Sequence, residues 1–297
     1  MGRLVVRPKI DIAFKKIFTE NLELLRLMLI DILKLPKIDS IQLRPNEVTP
    51  ANVDEKFCRL DVRVTVDGRE IDIEIQLHNR DDFRARSLYY WALLYTHLPV
   101  GDDYEKLPQT IVINFVDFTL FGETNDFHSC FVPMERNRHT LLTNKQEMHF
   151  FELKKIPNIE NANNDDVIYW LNFISAETEE QITKIENLPK QKYKNAVKEV
   201  KKLNINDDFK KNVVAREIQH REEMSALNAA KRVGREEGRE EGLQQGLEKG
   251  KEEGREEGKL EAKKELVKKL LNRGRPIEEI AEDTGLTPEE IESIAKE

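Results

Sequence analysis

The spacing of hydrophobic and polar residues changes along the chain and separates helical from extended segments. Over residues 8–35, apolar side chains recur every three or four positions, which is the spacing of an amphipathic helix. Three prolines punctuate the segment that follows, where residues 41–43 form a candidate short strand. The N-terminal part of the chain is therefore expected to begin with helix and to continue into a sheet.

Between Arg59 and Leu77 the period becomes two. Apolar residues alternate with polar ones on both sides of Asp67-Gly68, a dipeptide that is favoured in two-residue hairpin turns. The pattern predicts two antiparallel strands that share one buried face and one polar face.

A helical pattern over residues 81–98 precedes a strongly apolar run at 110–118. Strands that are apolar on both faces are typical of the centre of a sheet covered by helices. A hairpin, a helix and then a buried strand indicate a crossover connection and an α/β sheet. Weaker strand patterns follow at residues 130–134 and 148–153.

Beyond Pro157 the patterns become helical, and the chain ends in an unusual composition. We predict a first domain over 1–160, a helical extension over 161–232, a charged glycine repeat over 233–261 and a helix-turn-helix-like tail over 262–297. Seven glycines recur every fourth residue within the repeat, between charged and polar residues. Each glycine inside a helix costs about 1 kcal/mol relative to alanine. The repeat is either a partly helical linker or a stripe for close contact between subunits.

Composition excludes several classes of protein. Of the 297 residues 35% are charged, the net charge is −8, and no apolar run reaches the roughly 18 residues that span a bilayer. The two cysteines, Cys58 and Cys130, provide no disulfide framework, so a cytoplasmic protein is expected. The terminal helix is acidic, which disfavours insertion into a DNA groove. We therefore predict a homo-oligomer assembled through the C-terminal helical region, and no membrane partner.

The hairpin places two acidic residues opposite each other. If Asp67-Gly68 forms a two-residue turn, the pairing puts Asp61 across from Glu74 and the oppositely charged Arg63 across from Asp72. Like charges directly opposite each other destabilise a sheet. A divalent cation held by both carboxylates would explain the pair, because Mg²⁺ prefers such oxygen ligands. The alternative is a chance pair on a solvated face of the sheet.

The order Asp61…Glu74-Ile75-Gln76 on adjacent strands resembles the catalytic core of PD-(D/E)xK nucleases. Together with residues 11–18, 59–76 and 86–118, it resembles more closely the Rpn family of recombination-promoting nucleases, also labelled PD-(D/E)xK nuclease family transposases. The resemblance implies an α/β fold with an αβββαβ core, a mixed sheet flanked by helices and followed by an α-helical C-terminal region. It also implies an endonuclease that uses Mg²⁺ (or Mn²⁺) to cleave DNA.

On this resemblance Asp61 and Glu74 bind the metal, and the Ile75 carbonyl is a further candidate ligand. Gln76 occupies the catalytic position where many PD-(D/E)xK enzymes carry lysine. A neutral amide can orient water or phosphate by hydrogen bonding, but it supplies no positive charge.

Further site candidates each have an ordinary structural alternative. Asp11 at the start of the first helix is either an additional acid or an N-cap, and Glu55 is a weaker acidic candidate. Arg84 and Arg86 either contact phosphate or are solvated helix charges. An alternative function also stays open, namely a non-catalytic assembly or DNA-binding protein that retains a nuclease fold.

Overall fold

The computed structural model describes residues 2–48, 58–79, 82–96 and 103–296, and the chain divides into two compact units, 1–218 and 219–297. The strands are β1 (Ile41–Leu43), β2 (Glu47–Val48), β3 (Cys58–Arg59), β4 (Val62–Val66), β5 (Arg69–Gln76), β6 (Thr110–Val116), β7 (His128–Phe131) and β8 (Gln146–Glu152). The helices are α1 (Asp11–Thr19), α2 (Leu22–Ile32), α3 (Phe83–Tyr95), α4 (Asp166–Ser175), α5 (Glu179–Glu186), α6 (Gln191–Ile205), α7 (Asp207–Leu271), α8 (Ile277–Thr284) and α9 (Pro288–Lys296).

The first helical stretch is two helices. The sequence predicted continuous helical character over residues 8–35, but α1 ends at Thr19 and α2 begins at Leu22. The Asn21 side chain accepts a hydrogen bond from the backbone N–H of Leu24 at 3.0 Å, as an N-cap does. A capping residue in the middle of an unbroken apolar pattern therefore divides the helix.

Six strands form one mixed sheet in the order β1-β4-β5-β6-β8-β7, and β2 pairs with β3 separately. Strands β5, β6 and β8 are parallel to one another, whereas the other pairs are antiparallel. Helix α3 connects β5 to β6, as the sequence predicted. The order of helix, three strands, helix and strand confirms the predicted αβββαβ core.

The β4–β5 hairpin has the predicted turn and register. Asp67 and Gly68 both have positive φ angles, 47° and 78°, which is the conformation of a type I′ turn. Val66 pairs with Arg69 and Val62 pairs with Ile73, so no bulge shifts the strands. The Asp67 carboxylate also accepts a hydrogen bond from the Ser40 N–H at 2.7 Å, beside the start of β1.

The two faces of the sheet differ in chemistry. One face carries the apolar side chains of β4, β5 and β6 into a hydrophobic core shared with α1, α2 and α4 to α6. The other face carries Asp72, Glu74 and Asn114 under α3, which packs on β5 and β6. Every residue of β6 is buried, which confirms a central strand covered on both sides.

Helices α4 to α6 belong to the same core as the sheet. Trp170 and Tyr193 are fully buried in it, and Trp170 donates a hydrogen bond from Nε1 to Asp31 Oδ2 of α2 at 2.6 Å. The predicted division at residue 160 therefore does not coincide with a boundary of the core. Side chains from both sides of residue 160 exclude water from one apolar interior.

The second unit contains the glycine repeat and the helical tail. All seven glycines lie within α7, and a Cβ atom added to any of them meets no described atom within 4 Å. Helices α8 and α9 pack on the end of α7 through Val267, Ile280 and Ile291. Thr287 and Glu290 exchange the two hydrogen bonds of a capping box at the start of α9, at 2.8 and 3.3 Å. In the described part of the chain, no helix combines the length and apolarity needed to cross a bilayer.

Self-association through residues 233–297 stays a prediction, and the glycines offer a test. The substitutions Gly242→Ala, Gly246→Ala and Gly250→Ala together should favour the helix by about 1 kcal/mol each, because the added methyl groups meet no described atom within 4 Å. If the stripe is a contact between copies, the same methyl groups should separate them. We expect light scattering to report a lower mass while circular dichroism reports equal or greater helicity. An unchanged mass would contradict the predicted contact, and Gln244→Ala between the glycines is the control.

Candidate functional site

Asp61 and Glu74 lie opposite each other at the end of the β4–β5 ladder, as predicted. The Glu74 carboxylate accepts a hydrogen bond from the Asp61 N–H at 2.8 Å, and the Asp61 carboxylate accepts one from the Ile75 N–H at 2.9 Å. Each acidic side chain thus binds the backbone of the facing segment. The Val62–Ile73 pair is the last of the regular ladder, and side chains continue the hydrogen bonding beyond it. This exchange fixes the position of both carboxylates.

Asp72 is a third acidic residue of the site, and the sequence pattern alone did not reveal it. It lies two residues before Glu74 on the same face of β5 and is fully buried. Among the described residues neither of its carboxylate oxygens has a hydrogen-bond partner. Arg63 does lie opposite Asp72, but it binds Glu70 instead, at 3.2 Å. Arg63 and Asp72 are therefore opposite each other in the strand register, as predicted, but the expected ion pair between them is wrong.

Burial and mutual repulsion disfavour the charged forms of these acids. Burial raises the pKa of Asp72 well above its usual range, the charge of Asp61 raises it further, and Arg63 and Lys15 oppose the shift. Burial likewise raises the pKa of Glu74, and Asp72 and Asp61 add to it. The cluster of Asp61, Asp72 and Glu74, named here the acidic cluster, thus carries more negative charge than its neighbours compensate.

Lys15 is a functional candidate that sequence reasoning missed. Its Nζ atom lies 2.7 Å from Asp61 Oδ1, although it comes from α1, which packs over the opposite face of the sheet. The sequence has two adjacent lysines here, and nothing in the helical pattern distinguishes Lys15 from Lys16. Lys16 pairs with Glu20 on its own helix. Only the packing of α1 against the sheet brings Lys15 to the acids.

The two candidate arginines of α3 lie in different surroundings. The positive charge of Arg86 opposes the rise in the pKa of Glu74. Its guanidinium carbon lies 5.2 Å from the centre of the Phe83 ring. Within the described segments its Nε and Nη2 atoms are buried and have no hydrogen-bond partner. Arg84 instead donates to the Leu120 carbonyl at 2.5 Å. The structure therefore associates Arg86, and not Arg84, with the acidic cluster.

The other candidates are placed as follows. Gln76 is half-buried at the end of β5 and shares the face of Glu74. Asp11 pairs with Arg216 at 3.7 Å, apart from the contacts of the acidic cluster. It is also the first residue of α1 and not its N-cap, so that alternative is wrong: the N-cap is Ile10, whose side chain has no capping group. Glu55 lies outside the described residues.

A buried amide supports the floor of the site. Asn114 of β6 is the register partner of Glu74, and it accepts a hydrogen bond from the Ser87 hydroxyl of α3 at 2.9 Å. The Asn114 amide group donates to the His149 carbonyl at 3.1 Å. Buried polar groups whose hydrogen bonds are satisfied favour one packing arrangement. The contact therefore helps to fix α3, and with it Arg86, over the strands.

The donor set suits a hard divalent cation. The acidic cluster offers carboxylate oxygens alone, and in the described chain both oxygens of Asp72 are buried without a donor. Mg²⁺ and Mn²⁺ prefer such ligands, and a dication would reverse the rise in the carboxyl pKa values. The residues present thus fit the metal that the resemblance implied.

The fold and the acidic pair on adjacent strands define a PD-(D/E)xK-like α/β protein of the nuclease class. The model of the PD-(D/E)XK nuclease family transposases matches residues 8–230, so the chain belongs to that family. Comparison with curated proteins and with solved structures found no significant match. The family match extends through α4 to α6, in agreement with the shared core.

The raised pKa values predict how the stability of the metal-free protein depends on pH. In the unfolded chain Asp72 and Glu74 titrate near 3.8 and 4.5, and in the folded chain they titrate higher. The folded state then holds more protons, so the free energy of unfolding should fall as the pH rises above these values. The loss is about 1.4 kcal/mol per pH unit for each group between its two pKa values.

Asp72→Asn removes one of these groups without changing its size. We expect urea unfolding, measured in chelator from pH 4 to 8, to show a shallower fall and a higher stability near pH 7 for this variant. Glu70→Gln is the control, because Glu70 lies on the same face of β5 but pairs with Arg63. An Asp72→Asn profile identical to that of the wild type would contradict the raised pKa of Asp72.

Proposed function

We propose that this protein is a Mg²⁺-dependent DNA endonuclease that hydrolyses phosphodiester bonds, of the recombination-promoting nuclease and transposase type. The observation that carries the proposal is the acidic cluster, whose three buried or half-buried carboxyl groups meet on adjacent strands of a PD-(D/E)xK fold. Carboxyl groups whose pKa values are strongly raised by burial and by neighbouring charges, as those of Asp72 and Glu74 are, are typical of functional sites. Membership in the nuclease family supports the same conclusion.

Asp61 and Glu74 would hold the metal, and the Ile75 carbonyl is a further ligand candidate. Mn²⁺ would fit the same oxygen ligands. When bound, the cation would lower the pKa of a water molecule that it holds and would stabilise negative charge on the DNA phosphate. Lys15 holds Asp61 Oδ1 at 2.7 Å, so its ammonium group would have to leave that oxygen for a cation to be held there. Lys15 would then be available to contact the phosphate of the substrate.

Asp72 couples metal affinity to pH. It lies beside Glu74 without a donor of its own among the described residues, and its negative charge adds to that of the pair once it loses its proton. Metal ligands bind in their deprotonated forms, so cation binding releases protons and strengthens as the pH rises. Asp72 thereby increases the attraction of the site for a dication without needing to bind it directly.

Three side chains divide the task that lysine performs in many related nucleases. Gln76 orients water or phosphate by hydrogen bonding but brings no charge. Lys15 and Arg86 bring positive charge from α1 and α3, on opposite sides of the sheet. The Nε and Nη2 atoms of Arg86, which have no partner among the described residues, suit the charge-assisted hydrogen bonds that phosphate oxygens accept. We therefore assign phosphate binding to these two residues.

Gln76 and the net charge of −8 favour a second candidate function, a non-catalytic assembly or DNA-binding protein with a nuclease fold. On that account the acidic cluster is a remnant that no longer supports cleavage. The two functions differ in one observable, which is Mg²⁺-dependent hydrolysis of DNA by the wild-type chain.

The nuclease proposal predicts loss of cleavage when either metal ligand is neutralised. Asp61→Asn and Glu74→Gln each keep the size of the side chain and remove its charge. Losing even an outer partner of a metal ligand costs about 10–100-fold, so we expect at least about a 100-fold fall in plasmid cleavage with Mg²⁺. The measurement is the rate of nicking and linearisation, with and without chelator.

Glu70→Gln is the matched control for this assay, since it changes an acid on the same strand and face that binds Arg63. It should cleave at the wild-type rate. Full activity in both ligand variants would place the chemistry elsewhere in the chain. A wild type that cleaves no plasmid, linear or single-stranded DNA with Mg²⁺ or Mn²⁺ would favour the non-catalytic function.

Lys15 and Lys16 form a natural pair of test and control positions. Lys15→Met should lower kcat on the order of 100-fold, the scale of losing one group that stabilises developing charge. Lys16→Met should leave cleavage unchanged, because Lys16 pairs with Glu20 at the surface. The measurement is steady-state cleavage of a fluorescent DNA duplex. Equal effects of the two substitutions would show that Lys15 acts only through general attraction of DNA.

A further inference from the structure

A second group of metal-ligand side chains lies at the edge of the sheet. Cys130 of β7 is the register partner of His149 of β8, and Glu147 lies two residues before His149 on the same face. His149 is buried, Glu147 is half-buried and Cys130 is exposed. We name these three residues the edge cluster.

Two separations within the edge cluster are close to the edges of a coordination tetrahedron. Cys130 Sγ lies 3.8 Å from His149 Nε2, and Glu147 Oε2 lies 3.2 Å from the same nitrogen. All three ligand atoms lie within 4.8 Å of one another. Zinc bonds of about 2.3 Å to sulfur and 2.0–2.2 Å to nitrogen or oxygen, at tetrahedral angles, separate the ligand atoms by roughly 3.3–3.6 Å. Both separations from His149 Nε2 are thus within about 0.3 Å of the values for one tetrahedral ion, and the three donors lie close enough together to converge on it.

The direction of approach distinguishes the edge cluster from a catalytic triad. In a triad the nucleophile and the acid contact different nitrogens of the histidine ring. Here Cys130 and Glu147 both approach Nε2 of His149, while His128 Nε2 lies 3.0 Å from its Nδ1. Donors that converge on one point suit a shared cation and do not form a proton relay.

The surroundings hold the ligands in place. An N–H at Nδ1 of His149, donated to His128, leaves the Nε2 lone pair directed at the other two ligands, as an outer partner does in metal sites. His128 itself stacks on Phe151, with ring centres 4.3 Å apart. The second oxygen of Glu147 accepts a hydrogen bond from Gln109 at 2.9 Å. His149 and Glu147 are therefore each positioned by a side chain outside the edge cluster, His128 and Gln109 respectively.

We propose that Cys130, Glu147 and His149 bind Zn²⁺ through three protein ligands and leave the fourth position open on the exposed side of Cys130. Thiolate and imidazole ligands favour zinc over magnesium. The site is separate from the acidic cluster, because His149 lies on the face of the sheet opposite Asn114 and Glu74. It does not depend on the proposed nuclease activity. A bound ion would join edge strand β7 to β8.

The test is a titration of the full, untagged and reduced chain with Co²⁺, which reports tetrahedral sites by visible absorption and thiolate ligation by an ultraviolet charge-transfer band. We expect a thiolate band that saturates at one ion per chain and disappears when Zn²⁺ is added. Cys130→Ser should abolish the band, and Cys58→Ser, the other cysteine of the chain, should retain it. Glu147→Gln should weaken Zn²⁺ affinity at least tenfold, and Zn²⁺ should raise the melting temperature of wild type but not of Cys130→Ser.

The variant Asp61→Asn with Glu74→Gln separates the two metal sites, and it should keep the full thiolate band. Co²⁺ binding without a thiolate band would overturn the zinc proposal and leave the acidic cluster as the binding site. A band that survives in Cys130→Ser, or that is lost in Cys58→Ser, would also overturn it. Because Cys130 is exposed, its substitution by serine should not disturb folding, and circular dichroism of each variant checks this.

Discussion

The pairing of β4 with β5 decides which side chains can meet in the acidic cluster. A two-residue turn with positive φ at Asp67 and Gly68 fixes the register of this pairing, and a slip by one residue would move every side chain to the opposite face. In the observed register Asp61 and Glu74 meet at the end of the ladder, where Glu74 accepts a hydrogen bond from the Asp61 N–H and Asp61 accepts one from the Ile75 N–H. A local choice of turn conformation thus determines where two carboxylates converge.

Because the converging carboxylates are buried, their negative charges need nearby positive charge to stabilise them. Helix α3 covers Asp72 and Glu74, so neither acid can rely on water to stabilise its charge. Lys15 and Arg86 reach the cluster from the two sides of the sheet, but the pKa values of both buried acids remain raised. The same helices that complete the hydrophobic core therefore create an electrostatic site that suits a divalent cation. The packing of the core and the electrostatics of the candidate site therefore depend on the same helices.

The sequence was informative where structure depends on near neighbours. Alternation around Asp67-Gly68 predicted the hairpin, the register and the opposition of Asp61 and Glu74, and the apolar run predicted central strand β6. Side-chain contacts that depend on tertiary packing could not be predicted from the sequence pattern. The pattern of α1 did not show that Lys15 would meet Asp61, and the register alone did not show that Arg63 would choose Glu70 over Asp72. The division of α1 from α2 depended on a single cap at Asn21.

Mn²⁺ binding measured by electron paramagnetic resonance shows whether the acidic cluster holds a divalent cation. Free Mn²⁺ gives a strong signal that diminishes on binding to protein, so the bound fraction is measured without reference to cleavage. We predict a Mn²⁺ site that is lost in the Asp61→Asn, Glu74→Gln variant, is weakened at low pH as Asp72 and Glu74 gain protons, and is kept in Cys130→Ser. Equal Mn²⁺ binding by the wild type and the Asp61→Asn, Glu74→Gln variant would contradict it.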